Sequence, residues 1–303
     1  LIGCKVTNFS RTFIKSHSFA LDTPKEMIVK TVFELQKVLA EARNNSKSIG
    51  FVPTMGALHT GHLQLIQRAS EENDLVVVSI FVNPMQFNNK EDLLHYPRII
   101  EKDLDLLKEN CSNFIVFYPE TAEIYPSNDN FTPIDLGHLD EVLEGKFRPG
   151  HFKGVVHVVH NLFKLVTPQK AYFGQKDFQQ LAIIRFMTKA YGFPIEIIAC
   201  DTLREPNGLA MSSRNMRLSE EQKVEALIIW ETLKFIEANK SVLNPNVLKN
   251  RAIDFFEKST LKLEYLEIVN AENLFEAENW SEPAVCCIAA YCGEVRLIDN
   301  LLL

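Results

Sequence analysis

Residues 50–69 read GFVPTMGALHTGHLQLIQRA, and this stretch decides the fold. An apolar start, GFV, ends at Pro53; a loop holding Gly56 follows, and then Leu63, Leu65, Ile66 and Ala69 recur at helical spacing. Strand, loop and helix in that order open a βα unit. His59 and His62 stand three residues apart around Gly61, so they share a face at the start of the helix. Unpaired backbone N–H groups and the helix dipole favour an anion there, and Gly61 removes the side chain that would keep a phosphate at a distance. The spacing alone is more readily a surface or core histidine pair. The strand–loop–helix context makes it a candidate phosphate site.

Working outward, short runs rich in β-branched and aromatic residues alternate with helical patterns from Met27 to about Cys200. SIGFV (48–52), LVVVSIFV (75–82), NFIVFY (113–118), AYF (171–173) and IEIIAC (195–200) read as strands covered on both faces. Between them, Val155, Val156, Val159, Leu162, Phe163 and Val166 keep helical spacing, as do Phe178, Leu181 and Ile184 before Gly192. The expected fold class is α/β, a Rossmann-like, doubly wound parallel sheet. After Arg204 the pattern changes. Ser219 with Gln222 forms a capping-box signature ahead of a helical run to about Asn239, a second helix starts near Asn244, and LEYLEIV, AVCCIAAY and EVRLID follow as strands. We therefore expect residues 27–202 to form the larger domain and residues 203–303 a smaller C-terminal α+β lid domain. Residues 1–26 carry Lys5, Arg11 and Lys15 before the first acid at Asp22 and show no sustained period. They are expected to be an extension, an upstream start or a disordered tail.

Composition narrows the partners. With 39 acidic and 32 basic residues the formal charge is −7, which disfavours a general nucleic-acid binder. No apolar run approaches the roughly 20 residues of a membrane-spanning helix. The six cysteines form no C-x-x-C pair and read as reduced thiols of a cytoplasmic protein, Cys286 and Cys287 as small buried hydrophobes.

Two further segments carry polar chemistry. Gly174, Gln175, Lys176 and Asp177 follow the strand AYF directly, at the carboxyl end where doubly wound sheets bind ligands. Lys176 can meet phosphate oxygens, and Asp177 can accept from ribose hydroxyls. In GLAMSSRN (208–215), Ser212, Ser213 and Arg214 supply two hydroxyls and a planar guanidinium, a donor set suited to a polyphosphate. A zinc site drawing on His59, His62, His151, His157 and His160 lacks the usual ligand spacings, and we assign no metal ligand from the protein.

PTMGALHTGH resembles the His-x-Gly-His signature of the nucleotidylyltransferase superfamily, and MSSRN its second phosphate-binding loop. FVPTMGALHTGHL, IFVNPMQF, EGKFRPGHFKGVVHVV, AYFGQKDFQQL and REPNGLAMSSRN resemble, in order and spacing, the pantothenate synthetase (pantoate–β-alanine ligase) family. The resemblance runs from Met27 to Leu303. It implies an ATP-dependent condensation of pantoate with β-alanine through pantoyl adenylate, giving pantothenate, AMP and pyrophosphate, with Mg2+ carried mainly by ATP. ATP would be held by Met55, Gly56, Ala57, Leu58, His59, Thr60, Gly61 and His62, by Gly174, Gln175, Lys176 and Asp177, and by Leu203, Met211, Ser212, Ser213 and Arg214. His62 would donate a proton as pyrophosphate leaves, with His59 and Lys176 also catalytic. Gln86 and Gln180 match positions that bind pantoate, their amides able both to donate and to accept; Asn83, Arg148 and His151 match neighbouring pocket positions. The family resemblance also implies a homodimer. The polar stretch PMQFNNKEDLLHYP (84–97) is expected to be a mobile cover over the adenylate.

Three other readings share parts of this pattern. A class I aminoacyl-tRNA synthetase fragment shares both signatures but would need an anticodon-binding domain. Another nucleotidylyltransferase would explain the histidines and MSSRN without Gln86 and Gln180 in one pocket. A regulatory nucleotide-binding module would not need His62, Lys176 and Arg214 intact.

Overall fold

The computed structural model describes residues 28–87 and 90–303. The expectation for residues 1–26 lies outside the described residues. Six parallel strands form the first sheet: β1 (Ile28–Val29), β2 (Ile49–Thr54), β3 (Leu75–Ile80), β4 (Phe114–Phe117), β5 (Lys170–Gly174) and β6 (Glu196–Cys200), in the spatial order β1-β4-β3-β2-β5-β6. The period of two along each strand sends alternate side chains to opposite layers. Phe51 and Val77 join one core with Leu35 and Leu39 of α1 (Val32–Asn44). Val52, Val76 and Val78 join the other, with Leu63 and Ile66 of α2 (Thr60–Glu72). Both faces are covered, which is why the strands read as nearly continuous apolar runs.

The segment that follows Met27 gives the short edge strand β1 before its helix begins. Thr31 then caps α1, its hydroxyl accepting from the Glu34 N–H while the Glu34 carboxylate accepts from the Thr31 N–H. That reciprocal cap fixes the helix start past the strand.

Beyond α3 (Lys90–Leu94), α4 (Ile100–Asn110), α5 (Thr121–Ile124) and α6 (Leu143–Phe147), the long α7 (His151–Val166) and then α8 (Phe178–Ala190) cover the α1 face. His157 and His160, whose spacing does not suit zinc, are packing residues. His160 is buried, and His157 donates to Asp129 at 2.6 Å while its ring stacks on Phe131.

The C-terminal part holds α9 (Glu220–Glu225), α10 (Leu227–Asn239), α11 (Pro245–Phe256) and an antiparallel sheet of β7 (Lys262–Asn270), β8 (Ala284–Cys292) and β9 (Val295–Leu302), ordered β7-β8-β9. The Ser219–Gln222 capping box is present. The single helix expected to run to Asn239 is broken at Ala226, whose carbonyl accepts from the Ile229 N–H, three residues on rather than four. Cys286 and Cys287 are buried on β8, as small hydrophobes. A smaller core of Leu143 and Phe178 with Val269, Leu274, Val285 and Cys287 joins this part to the first sheet.

Candidate active site

From β2 the chain continues through β3 and β4 toward one edge, and from β5 it turns to the other, so the order of connection reverses between β2 and β5. The carboxyl ends of these two strands flank a crevice. Residues 55–62 leave β2 and residues 174–177 leave β5, so two of the three polar segments meet there because of topology. A cavity of about 910 Å³ occupies the crevice, within the range of small-molecule sites. Met55, His59, Gly61, His62, Gly174, Lys176, Asp177, Leu203 and residues 211–214 line it, together with Asn83, Gln86, Arg148, His151 and Gln180. Gly56, Ala57, Leu58, Thr60 and Gln175 do not line it; they shape the loops that carry the lining residues.

The loop after β2 is held from behind. Thr54 Oγ1 accepts from the Gly56 N–H at 3.1 Å and donates to the Ser79 carbonyl at 2.8 Å. Gly56 and Ala57 both take positive φ, 78° and 51°. Ala57 carries steric strain there as a non-glycine residue. The buried Asp103 on α4 braces this turn: Oδ2 accepts from the Ala57 N–H at 3.0 Å and Oδ1 from the Leu58 N–H at 2.7 Å. Burial pushes the Asp103 carboxyl above its usual range, against the pull of those two donors.

His59 caps α2, its Nδ1 accepting from the Gly61 N–H at 3.1 Å, and His62 Nδ1 accepts from the His59 N–H at 3.3 Å. Both rings therefore carry their proton on Nε2 when neutral. The ring centroids are 4.1 Å apart. Burial, then repulsion from His59, lowers the His62 pKa to about 3, and burial also lowers that of His59. His62 is accordingly a neutral N–H donor before any ligand enters. Gly61 leaves room for the His59 ring, because a Cβ there would lie 2.9 Å from His59 Cε1.

The loop after β5 is fixed by the far end of the chain. Asn300 on β9 donates through Nδ2 to the carbonyls of Gln175 at 3.0 Å and Lys176 at 2.8 Å. Residues 211–214 reach the same cavity from the other side, where Thr60 donates to Met211 Sδ and Ser212 Oγ accepts from the Arg214 N–H at 3.2 Å. Just before this segment, Arg204 is gripped by Asp299 and lies 3.7 Å over the Trp230 ring.

At the other end of the cavity, His151 Nδ1 donates to the Gln86 carbonyl at 2.8 Å, leaving Nε2 unprotonated. Burial and the nearby Arg148 lower its pKa to about 4. Arg148 lies 3.7 Å from Glu144, whose carboxylate is shared with Arg296. Asn83 lines the cavity but is 1% exposed, and both its amide atoms are engaged by Tyr125, Met85, Gln86 and Gly154. The segment 84–97, expected as a cover, contributes Gln86, Phe87, Glu91 and His95 to the lining.

Asp103, Tyr125, Glu144, Arg296 and Asn300 were missed by the sequence reading. Glu144 lies in a segment carrying the resemblance; Asn300 lines the cavity, and Asp103, Tyr125 and Arg296 bond residues that line or shape it from distant parts of the chain, which leaves no local signal.

A model of the family described as pantoate-beta-alanine ligase matches residues 27–302. A pantothenate synthetase of Azobacteroides pseudotrichonymphae genomovar. CFP2 is 48% identical over 277 residues, covering 90% of this chain and 99% of its own. A crystal structure of pantothenate synthetase from Thermus thermophilus superposes with a TM-score of 0.83 at 41% identity, over 90% of this chain and 98% of that one. A pantoate-beta-alanine ligase from Francisella tularensis, solved as a complex with beta-gamma ATP and beta-alanine, gives a TM-score of 0.73 at 35% identity, over 91% and 97% of the two chains. With a parallel sheet covered on both faces, a crevice at its switch point and likeness of this order over 90% of the chain, the chain belongs to the pantoate-beta-alanine ligase family.

Proposed function

We propose that this protein condenses (R)-pantoate with β-alanine in a reaction that consumes ATP and releases AMP and pyrophosphate. The observation that carries this reading is the meeting of three phosphate-suited segments, residues 55–62, 174–177 and 211–214, with Gln86 and Gln180 around one cavity. In the first step the pantoate carboxylate attacks the α-phosphorus of ATP and pyrophosphate leaves. In the second the β-alanine amine attacks the acyl carbon and AMP leaves. The chain supplies position and charge rather than a covalent intermediate. His62 and His59 direct Nε2–H groups at developing phosphate charge, and Lys176 and Arg214 add positive charge. His62 starts neutral, so its part as proton donor is to share the Nε2 proton with the leaving oxygen rather than to arrive as an imidazolium. Gln86, Gln180, Arg148 and His151 hold the pantoate end, and Asp177 takes the ribose hydroxyls.

Mg2+ enters with ATP, whose phosphates supply most of its ligands. We further propose division into domains at 202/203, supported by the separate cores; a homodimer, on the family resemblance; and a cytoplasmic setting. No helix among the described residues is long and apolar enough to cross a membrane.

The test is AMP release from ATP and Mg2+ with D-pantoate and β-alanine omitted in turn. Release that requires both substrates is expected; ATP consumption without pantoate, or AMP release indifferent to β-alanine, points to another nucleotidyl transfer. Binding of ATP without turnover would instead identify a regulatory module.

A further inference from the structure

Asn83 stands at the start of the turn after β3, and its amide orientation is set by the backbone. The Met85 N–H donates to Asn83 Oδ1 at 3.2 Å, and Asn83 Nδ2 donates to the Gly154 carbonyl at 3.1 Å. Gly154 makes that approach possible, since a Cβ there would lie 2.4 Å from the Met85 carbonyl oxygen. Only one assignment of the Asn83 oxygen and nitrogen satisfies both backbone partners. The remaining Nδ2 hydrogen then points at Gln86 Oε1, 3.0 Å away. Gln86 Oε1 is thereby turned toward Asn83 and its NH2 away from it, with Nε2 3.1 Å from Met55 Sδ, a weak acceptor that a substrate oxygen readily replaces.

Tyr125 completes the chain. Its hydroxyl donates to Asn83 Oδ1 at 2.8 Å, from a ring packed between Phe81 and His157. Tyr125 does not line the cavity. Burial raises its phenol pKa, so the hydroxyl keeps its proton and remains a donor.

We propose that Tyr125 is a positioning residue for substrate selection: by donating to Asn83 it locks the Asn83–Gln86 amide pair so that Gln86 shows the cavity only its NH2. Gln86 is then a one-way donor that reads an oxygen acceptor, a carboxylate or a hydroxyl oxygen. This narrows the two-way role expected for that amide, and it rests on the pantoate-binding reading given above.

The experiment compares steady-state KM and kcat for Tyr125→Phe and wild type, each substrate varied in turn, with the unfolding midpoint measured alongside. Loss of one buried hydrogen bond is expected to raise KM for pantoate about five- to tenfold and to leave KM for ATP unchanged. In a Gln86→Ala background Tyr125→Phe should add nothing further, because the residue it positions is gone. Gln86→Glu, which puts an acceptor where the donor stood, should weaken pantoate binding with Tyr125 intact. An unchanged pantoate KM in Tyr125→Phe, an equal rise in both KM values, an additive effect in the Gln86→Ala background, or wild-type pantoate affinity in Gln86→Glu would each overturn the proposal while leaving the ligase reading in place. Wild-type enzyme whose AMP release does not depend on pantoate would remove the ligase reading first, and this proposal with it.

Discussion

Arg296 on β9 holds Glu144 on α6 by two hydrogen bonds, Nη2 to Oε1 at 2.7 Å and Nη1 to Oε2 at 2.8 Å, across 152 positions of sequence. The Tyr265 hydroxyl donates to the same carboxylate at 2.8 Å, and Arg148 lies beside it. Burial pushes the Glu144 pKa up, but the hydrogen bonds and charge of Arg296 outweigh it and hold the carboxyl below its usual range. The pair thus fastens the C-terminal sheet to the end of the cavity lined by Glu144, Arg148 and His151.

Glu144→Ala leaves Arg148 without its buried partner, removes the Tyr265 acceptor and leaves Arg296 with Glu264 alone. We expect a loss of about 3–5 kcal/mol, the usual cost of breaking a buried ion pair from one side. Urea unfolding measures it, and a loss below about 1 kcal/mol, the range of exposed pairs, would show that solvent reaches this one.

His62→Ala removes an Nε2–H donor and should lower kcat by about a hundredfold or more, the scale of losing one donor to developing charge. Because the His62 pKa lies near 3, its ionisation should put no inflection into the wild-type kcat/KM profile between about pH 5 and 8. An inflection near pH 6.5 that disappears in His62→Ala would contradict the neutral-donor role.

Acid should destabilise the fold through the same groups. His62 and His151 have folded-state values of about 3 and about 4, below the ordinary 6.5, so between those values the unfolded chain binds protons that the folded chain does not. Their contribution to stability is then full above pH 6.5 and declines as pH falls toward 4. Unfolding curves at stepped pH should show that slope, and His151→Gln should make it shallower.

Asp103→Ala withdraws the acceptor from two adjacent N–H groups behind the residues 55–62 loop. KM for ATP should rise about tenfold or more, with KM for pantoate little changed. Equal effects on both substrates would mean that α4 itself, not the loop, had shifted.

Much of the larger fold was legible because its signals are local. Each of the five expected strands appears within two residues of its expected ends, since a strand covered on both faces must be apolar along its length. The histidine pair was legible as well, because i and i+3 meet on any helix start. The break at Ala226 was not, since an apolar run reads as helical on either side of one shifted hydrogen bond. Asn83 illustrates the limit at the site. Its position beside the cavity followed from the resemblance, yet its engagement by Tyr125 and Gly154 depends on residues 42 and 71 positions away.

The sequence by itself determined the alternation of strands and helices, the caps, and the three segments able to hold phosphate. These depend on side-chain periodicity and on backbone groups a few residues apart. Only the tertiary structure decided that the segments share one crevice, because that follows from the reversal of strand order between β2 and β5. It also decided protonation and orientation. His62 is neutral because the folded protein surrounds it, and the Gln86 amide is oriented because Asn83, itself bonded by Tyr125, donates to its oxygen; burial and long-range hydrogen bonds exist only once the chain has closed on itself.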